Sequence, residues 1–506
     1  MSPFNFGEIN IDVGGVTSHA RPDTDTPFRV LLLGDFSGKA SRGRQKPLTA
    51  RRPVEVNRDN FDEVLAEFHP ELRLSLGNEK FATVQFSTLD DFHPDRLFEH
   101  IEMFRPLRAA RLQLENPAAL EAEANELSWV RTPRPPREEE RETNPPVSQV
   151  ASGTLLNEMI EQTEARVQGR APVEDALQKF ARRVAEPHLV PSTNPRQSEI
   201  LALIDRALAA QMRALLHVPE FQALEAAWRA AFLLVRRIET DEALKLYLVD
   251  LSKHELGTNL NSSFDLRSTW TYRLLAENTL GFSGAPWAVI VGNYTFGPSQ
   301  EDAELLGRLA KIAQAAEAPF LAAADPRLVG CESFSATPNP PDWTLQPDRD
   351  AASAWLALRG LPEANTVGLA MPRFLLRLPY GKETDPIESL AFEEMLDEPE
   401  HDDYLWGNPA FVCGLLLAQS FSESGWDLQA GQPAVLDRLP VHVYRHDGDS
   451  EVKPCAEAPM TDDAAERIME SGLMPLASLK GQDDVRLVRF QSIARPLRRL
   501  AGRWTR

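Results

Sequence analysis

Thr366 to Phe411 reads TVGLAMPRFLLRLPYGKETDPIESLAFEEMLDEPEHDDYLWGNPAF. Its opening, Thr366–Met371, is an apolar run of strand length. Pro372 closes that run, because proline has no N–H to give to a ladder. Pro379, Gly381 and Pro386 make the next segment turn-rich. An acidic block follows, with Glu393, Glu394, Asp397, Glu398, Glu400, Asp402 and Asp403. Unpaired carboxylates resist burial, so a solvated loop is expected there. Tyr404 and Trp406 combine large apolar faces with polar tips, which suits core packing. Ala410–Ser420 then reads as a small-residue helix.

Upstream, Trp287–Val291 reads as a buried strand, followed by Gly292-Asn293-Tyr294. Ser299 with Asp302 makes a near capping box for a helix carrying Leu305, Leu306, Leu309, Ile312 and Ala313. Pro319–Ala324 is the next strand. Strand, helix and strand at these lengths form a βαβ unit, so the class is α/β with a parallel or mixed sheet flanked by helices. Earlier still, Ser198 is placed to cap a helix through Ile200, Leu201, Ile204, Leu208, Met212 and Leu215. A second helix runs through Leu224, Trp228, Phe232 and Val235, before a strand at Leu244–Leu248. Downstream, Leu439–Tyr444 reads as a strand, and Leu473–Lys480 with Val485–Phe490 as a hairpin.

The N-terminal part has its own pattern. Ile9, Ile11 and Val13 alternate as one face of a strand would, and Gly14-Gly15 breaks it. Such a lone strand must find an edge, so donation to a neighbouring molecule is the functional expectation. Arg29–Leu33 reads as a buried strand and Val54–Val56 as another. Asp59 or Asn60 can cap a helix with Phe61, Val64, Leu65 and Phe68 on one face. Leu72–Leu76 and Thr83–Phe86 alternate as paired strands, and a helix with Leu97, Ile101 and Phe104 follows. Residues 131–150 are Pro-rich and charged, with the composition of a linker. In residues 152–170, Leu155, Leu156, Met159, Ile160 and Val167 line one side of a new helix.

Composition narrows the function. The chain has 506 residues, enough for several domains, and a formal charge of −21. That charge argues against a general nucleic-acid binder and against an anionic membrane surface. The N-terminus lacks a basic n-region and an apolar h-region, and no run reaches the roughly 18 apolar residues of a membrane span. A cytoplasmic location without membrane insertion is expected. Cys331, Cys413 and Cys455 lie far apart with no CxxC pair, so free buried thiols are expected rather than disulfides or zinc.

Two stretches resemble chemistry and fail its tests. Gly34-Asp35-Phe36-Ser37-Gly38-Lys39 follows a strand as a phosphate loop would, but its glycines are one residue too close and Ala40 replaces the hydroxyl residue that holds magnesium. His442 and His446 share a strand face yet stand well apart, at roughly 3.3 Å of rise per residue, with no third ligand evident. An enzymatic reading would rest on the Gly34–Lys39 loop or the Glu393–Asp403 acids. No catalytic, metal or cofactor residue is assigned.

Several strings carry a family resemblance. Pro372-Arg373-Phe374-Leu375-Leu376-Arg377-Leu378-Pro379-Tyr380-Gly381 and Tyr404-Leu405-Trp406-Gly407-Asn408 resemble the large subunit of the type VI secretion contractile sheath. So do Val218-Pro219-Glu220-Phe221-Gln222-Ala223-Leu224-Glu225-Ala226-Ala227-Trp228-Arg229, where Ala230 stands in place of the family's glycine, and Gln491-Ser492-Ile493-Ala494-Arg495-Pro496. Leu33-Gly34-Asp35-Phe36-Ser37-Gly38, Arg58-Asp59-Asn60-Phe61 and Phe86-Ser87-Thr88-Leu89-Asp90-Asp91-Phe92-His93-Pro94-Asp95 resemble the small sheath subunit.

The resemblance implies an N-terminal strand and arm at 1–26 and a small-subunit-like domain at 27–128. A linker at 129–151, a helical region at 152–197, a large-subunit-like domain at 198–497 and a basic tail at 498–506 follow. It implies a structural protein with no cofactor, whose partners are other sheath subunits or itself, with a baseplate and a hexameric unfoldase beyond them. Ile9, Ile11 and Val13 would be the exchanged strand, and Leu155, Leu156, Met159 and Ile160 the helix that the unfoldase grips. Only about ten residues follow Ser492-Ile493-Ala494-Arg495-Pro496, where the family continues into its acceptor strands. That shortening suggests, as an alternative, a non-polymerising accessory that caps or guides sheath or baseplate assembly.

Overall fold

The computed structural model describes residues 4–9, 22–39, 47–75, 81–115, 195–277, 286–396, 399–446, 449–479 and 481–505. Phe28–Gly34 is buried at every position and forms β1. Val54–Val56 is β2, and Phe61–Phe68 is helix α1. Glu71–Ser75 and Phe81–Gln85 pair as the antiparallel hairpin β3–β4. Pro94–His100 is α2 and Arg105–Glu115 is α3. The long helices α4 (Pro195–Leu216) and α5 (Pro219–Arg237) come next, then β5 (Leu244–Asp250) and α6 (Lys253–Asn261). The expected βαβ unit is β6 (Val289–Phe296), α7 (Gln300–Ala316) and β7 (Phe320–Ala324).

Helix α8 (Arg349–Arg359) leads to β8 (Val367–Met371) and the short β9 (Phe374–Leu375). After β10 (Trp406–Gly407) comes α9 (Pro409–Ser424), then β11 (Val435–Leu436). The hairpin β12 (His442–His446) and β13 (Asp449–Lys453) precedes α10 (Asp462–Glu470), β14 (Met474–Ala477) and β15 (Val485–Leu487).

A nine-stranded sheet organises these elements, in the order β11-β15-β14-β8-β7-β6-β1-β5-β2. The run from β14 to β5 is parallel, while β2, β15 and β11 join antiparallel. β1 therefore sits inside the sheet, with β5 on one side and β6 on the other. Parallel strands need cover on both faces, which is why their sequences read as continuous apolar runs. The two-residue period divides them: Phe28, Val30 and Leu32 face one core, and Leu31 and Leu33 the other.

On the first face, α9 lies so close to the sheet that a side chain at Gly414 would meet Val291. Its small residues permit that approach. Trp228 of α5 lies on the same face, wholly buried. Its ring makes edge contacts with Phe36, Phe61 and Phe68, and its Nε1 donates to the Phe36 carbonyl at 2.8 Å. The second face is covered by α6, α7, α8 and α10.

Several expected boundaries shift; the helix expected through Leu97, Ile101 and Phe104, for one, ends at His100, where Ile101 turns extended. The helix assigned to a Ser198 cap begins earlier, at Pro195, where proline suits a first turn. The strand expected at Trp287–Val291 starts at Val289 and runs through Gly292-Asn293-Tyr294 to Phe296. The strand expected at Leu439–Tyr444 is His442–His446, paired with Asp449–Lys453 in a hairpin of its own.

Candidate assembly site and the charges that shape it

The first candidate is the N-terminal segment. Ile9 is half-buried against the second core, while Ile11 and Val13 lie outside the described residues. Residues 4–9 are seated on the chain's own α7. The Phe6 ring lies over Gly307, where any side chain would overlap it. Arg308 donates to the Asn5 carbonyl at 3.2 Å, and Lys311 to the Gly7 carbonyl at 2.6 Å. Glu8 exchanges backbone bonds with the 264–266 segment at 2.8 and 2.9 Å. Within residues 4–9 the segment makes one isolated bridge there, at Glu8. Phe6→Ala is expected to speed amide exchange at Glu8 and Leu266 by about two orders of magnitude, the equivalent of roughly 3 kcal/mol of lost burial. Mass-resolved hydrogen exchange checks this, and unchanged protection would refute the anchor.

Ligands of open α/β sheets bind at the carboxyl ends of the strands where the order reverses. In this sheet that place is the end of β1, beside β5 and β6, and it holds the Gly34–Lys39 stretch. The chain fills it with its own charges. Lys39 Nζ lies 2.5 Å from Asp250 and 3.7 Å from Glu255. Arg51 binds Glu255 with both terminal nitrogens, at 2.9 and 2.5 Å. Burial opposes ionisation of Glu255, yet the Arg51 and Ser252 hydrogen bonds hold its carboxyl down to about 2. Burial raises the Asp250 carboxyl even with Lys39 against it. A lysine engaged in this way is not presented to a phosphate.

The acidic block departs from expectation. Glu394 is buried, not solvated, at 1% exposure. Arg377 reaches it with two bonds at 2.7 and 3.0 Å, and the Tyr380 N–H adds a third at 2.7 Å. Arg377 also donates to Glu225 at 2.8 Å, and Glu225 accepts from Arg229 at 2.6 Å. Arg229 reaches the Tyr380 hydroxyl at 2.9 Å. His217, at the α4–α5 corner, lies 3.0 Å from Asp403 and 3.6 Å from Glu394. These groups clamp residues 377–394 and Asp403 onto α5 and the α4–α5 corner. The visible hint in the sequence was Arg373 and Arg377 set within an apolar run; their acidic partners are remote and could not be read.

Burial works against the His217 charge, but Asp403 and Glu394 outweigh it and raise its pKa to about 9. An unfolded histidine titrates near 6.5. The folded state therefore keeps a proton that the unfolded state loses, and this contribution is complete below pH 6.5 and gone above 9. Stability should fall by up to about 1.4 kcal/mol per pH unit across that window. His217→Gln should remove that slope in denaturant titrations run from pH 6 to 9.5; an identical slope would reject the assignment.

The remaining sequence candidates resolve simply. His442 Nδ1 bonds the Tyr404 hydroxyl at 2.8 Å, and among the described residues no group of three His, Cys, Asp or Glu side chains could hold a metal ion. Tyr404 and Trp406 pack with Leu375 in a small core, with Lys453 and Arg373 near their rings. The cysteines are buried and free, and burial pushes the Cys413 thiol up to about 12. In the basic end, Arg503 pairs with Glu317 at 2.9 Å, while Leu500 and Trp504 enter the first core. Leu155, Leu156, Met159 and Ile160 lie outside the described residues. The outer strands of the large sheet are β2 and β11, and Val435 of β11 is exposed.

Residues 8–127 match the family described as "Type VI secretion system, VipA, VC_A0107 or Hcp2". Residues 198–494 match "EvpB/VC_A0108, tail sheath N-terminal domain". This chain belongs to the type VI secretion sheath family. A curated relative, the type VI secretion system sheath protein TssC1 of Pseudomonas aeruginosa PAO1, is 35% identical over 355 residues. That match covers 68% of this chain and 70% of the relative. The chain is thus a sheath-type structural protein of the type VI apparatus carrying both family regions, and sheath subunits are its implied partners. No helix among the described residues is long and apolar enough to cross a membrane.

Proposed function

We propose that this sheath protein supplies the small and large halves of one wall unit as a single polypeptide, and that copies of it assemble with one another in the cytoplasm. The observation that carries this reading is the position of β1. A strand from the 8–127 region lies between β5 and β6 of the large-subunit region, so both regions complete one sheet. Joining them in one chain fixes their ratio at one to one and raises the effective concentration of each for the other.

Assembly would use packing together with strand exchange. The segment 4–9 is the anchor, and Ile11 and Val13 follow Ile9 as the strand offered to an open edge on a neighbour. The helix with Leu155, Leu156, Met159 and Ile160 would be the handle for a hexameric unfoldase, and a baseplate would seed assembly. The role is structural, without a catalytic step or cofactor; the ion cluster that fills the end of β1 favours this over a phosphate-using enzyme.

Negative-stain electron microscopy of the purified protein tests the proposal. Hollow tubes are the expected result. Discrete particles across salt and protein concentrations would overturn it in favour of an accessory that caps or guides assembly, which should then decorate the ends of a standard sheath.

A further inference from the structure

The C-terminal ends of α8 and α10 meet the segment Arg495–Leu497 around a cavity of about 570 Å³. Arg359, Arg467 and Arg495 line it, against a single carboxylate, Glu470. None of these arginines makes an ion pair among the described residues. Arg359, with 8% of its surface exposed, donates to the Ile493 carbonyl at 2.8 Å and, at 3.5 Å, to the Glu470 carbonyl. Arg467 spends two nitrogens on the Pro340 and Trp343 carbonyls, at 2.7 and 2.6 Å. The Arg495 guanidinium is exposed and has no hydrogen-bond partner among the described residues.

Charge is therefore left over. The helix ends bring carbonyl dipoles worth about half a charge each, which is why arginines are tolerated here. Dipoles and one carboxylate do not neutralise three guanidinium groups. Burial and the neighbouring Arg495 charge both lower the Arg359 pKa, the direction expected of a cation with no acid beside it. Arg51 and Arg377, buried elsewhere, each have an acid partner, Glu255 and Glu394, whereas Arg308 is held by backbone carbonyls but stands alone rather than among other arginines. Three arginines gathered around one carboxylate, on a chain of formal charge −21, leave a positive cleft that asks for an anion.

We propose that this cleft binds an oxyanion, a carboxylate or phosphate group held by Arg359 and Arg495. A guanidinium offers two parallel N–H groups to two oxygens, the geometry that carboxylates and phosphates fit. Two sources share that chemistry: a free multivalent anion, and an acidic side chain on a neighbouring copy of this chain.

Calorimetric titration of the whole chain with citrate and with inorganic phosphate, at ionic strength held constant with chloride, tests the site. Citrate is expected to bind with a Kd of about 1 mM or tighter, and Arg495→Glu to weaken it at least about tenfold. Arg495→Glu should keep the fold, because its side chain is exposed and only its backbone N–H bonds the Arg359 carbonyl. Arg495→Lys keeps the charge without the fork and should fall between the two. No binding above that of chloride, or equal citrate affinity in Arg495→Glu, overturns the proposal. Where citrate binds the parent, imaging identifies the source. Tubes lost in Arg495→Glu point to a neighbour's carboxylate, and tubes unchanged point to a free anion. Calorimetry needs no tubes, so failure of assembly and failure of the site are read separately.

Discussion

Residues 1–128 and residues 152–506, expressed apart, are expected to aggregate, and expressed together to copurify as one complex. The reason is the place of β1. It pairs with β5 from Phe28 to Gly34 and with β6 from Val30 to Leu33, and every residue in it is buried. Without it, the large-subunit region keeps two strands with unpaired inner edges and apolar faces open to water, a template for aggregation. The first core is shared in the same way. Trp228 comes from the large-subunit region, while the Phe36, Phe61 and Phe68 rings around it come from the small. Trp228→Ala alone should cost about 3–5 kcal/mol, much of the roughly 5–15 kcal/mol that a folded domain holds. Solubility, size-exclusion profile and cooperative melting report the outcome. A soluble 152–506 fragment with a sharp melt would show that the two regions do not depend on one another.

What the sequence discloses follows from how local each cause is. β1, β7 and β8 were readable because a strand buried on both faces needs four or more consecutive apolar residues, and each contains them. Helix α7 was readable because its cap and its apolar stripe lie within a few residues of each other. The clamp at Glu394 was not. An acidic residue among acidic residues carries no local sign that Arg377 will meet it, so the block read as solvent-facing although Glu394 is buried. The seat of Phe6 on Gly307 was hidden for the same reason: a glycine inside a good helix signals a close approach, but not by which residue. β12 shifted because Leu439–His446 alternates weakly, and its pairing with Asp449–Lys453 fixes the register instead. The arginine cleft draws on three separate stretches, each of which reads as an ordinary helix end or tail.

Glu394→Ala is expected to destabilise the protein by about 3–5 kcal/mol, because it breaks a buried pair and strands its partner. Of its two carboxylates Arg377 would keep only Glu225, which it already shares with Arg229, and the Tyr380 N–H would lose its acceptor. Glu394→Gln, which keeps shape and one oxygen, should cost less, about 1.5–3 kcal/mol. The two effects separate by pH. Burial opposes the Glu394 charge, but Arg377, His217 and the Tyr380 N–H outweigh it and hold the carboxyl at about 2. An unfolded glutamate titrates near 4.3. The unfolded state therefore takes up its proton first, and the contribution is complete above that value and lost as pH falls from there to about 2. Glu394→Gln should lose little further stability to this group on acidification, so its deficit against the parent should shrink across that window. Replacing both partners, as Glu394→Leu with Arg377→Met, should recover much of the loss, since a well-packed apolar pair often equals a buried ion pair. Equilibrium denaturation from pH 2.5 to 6 measures all of this. If Glu394→Ala costs less than about 1 kcal/mol at pH 6, the pair behaves as an exposed one, and the acidic segment is a surface loop rather than a clamp on α5.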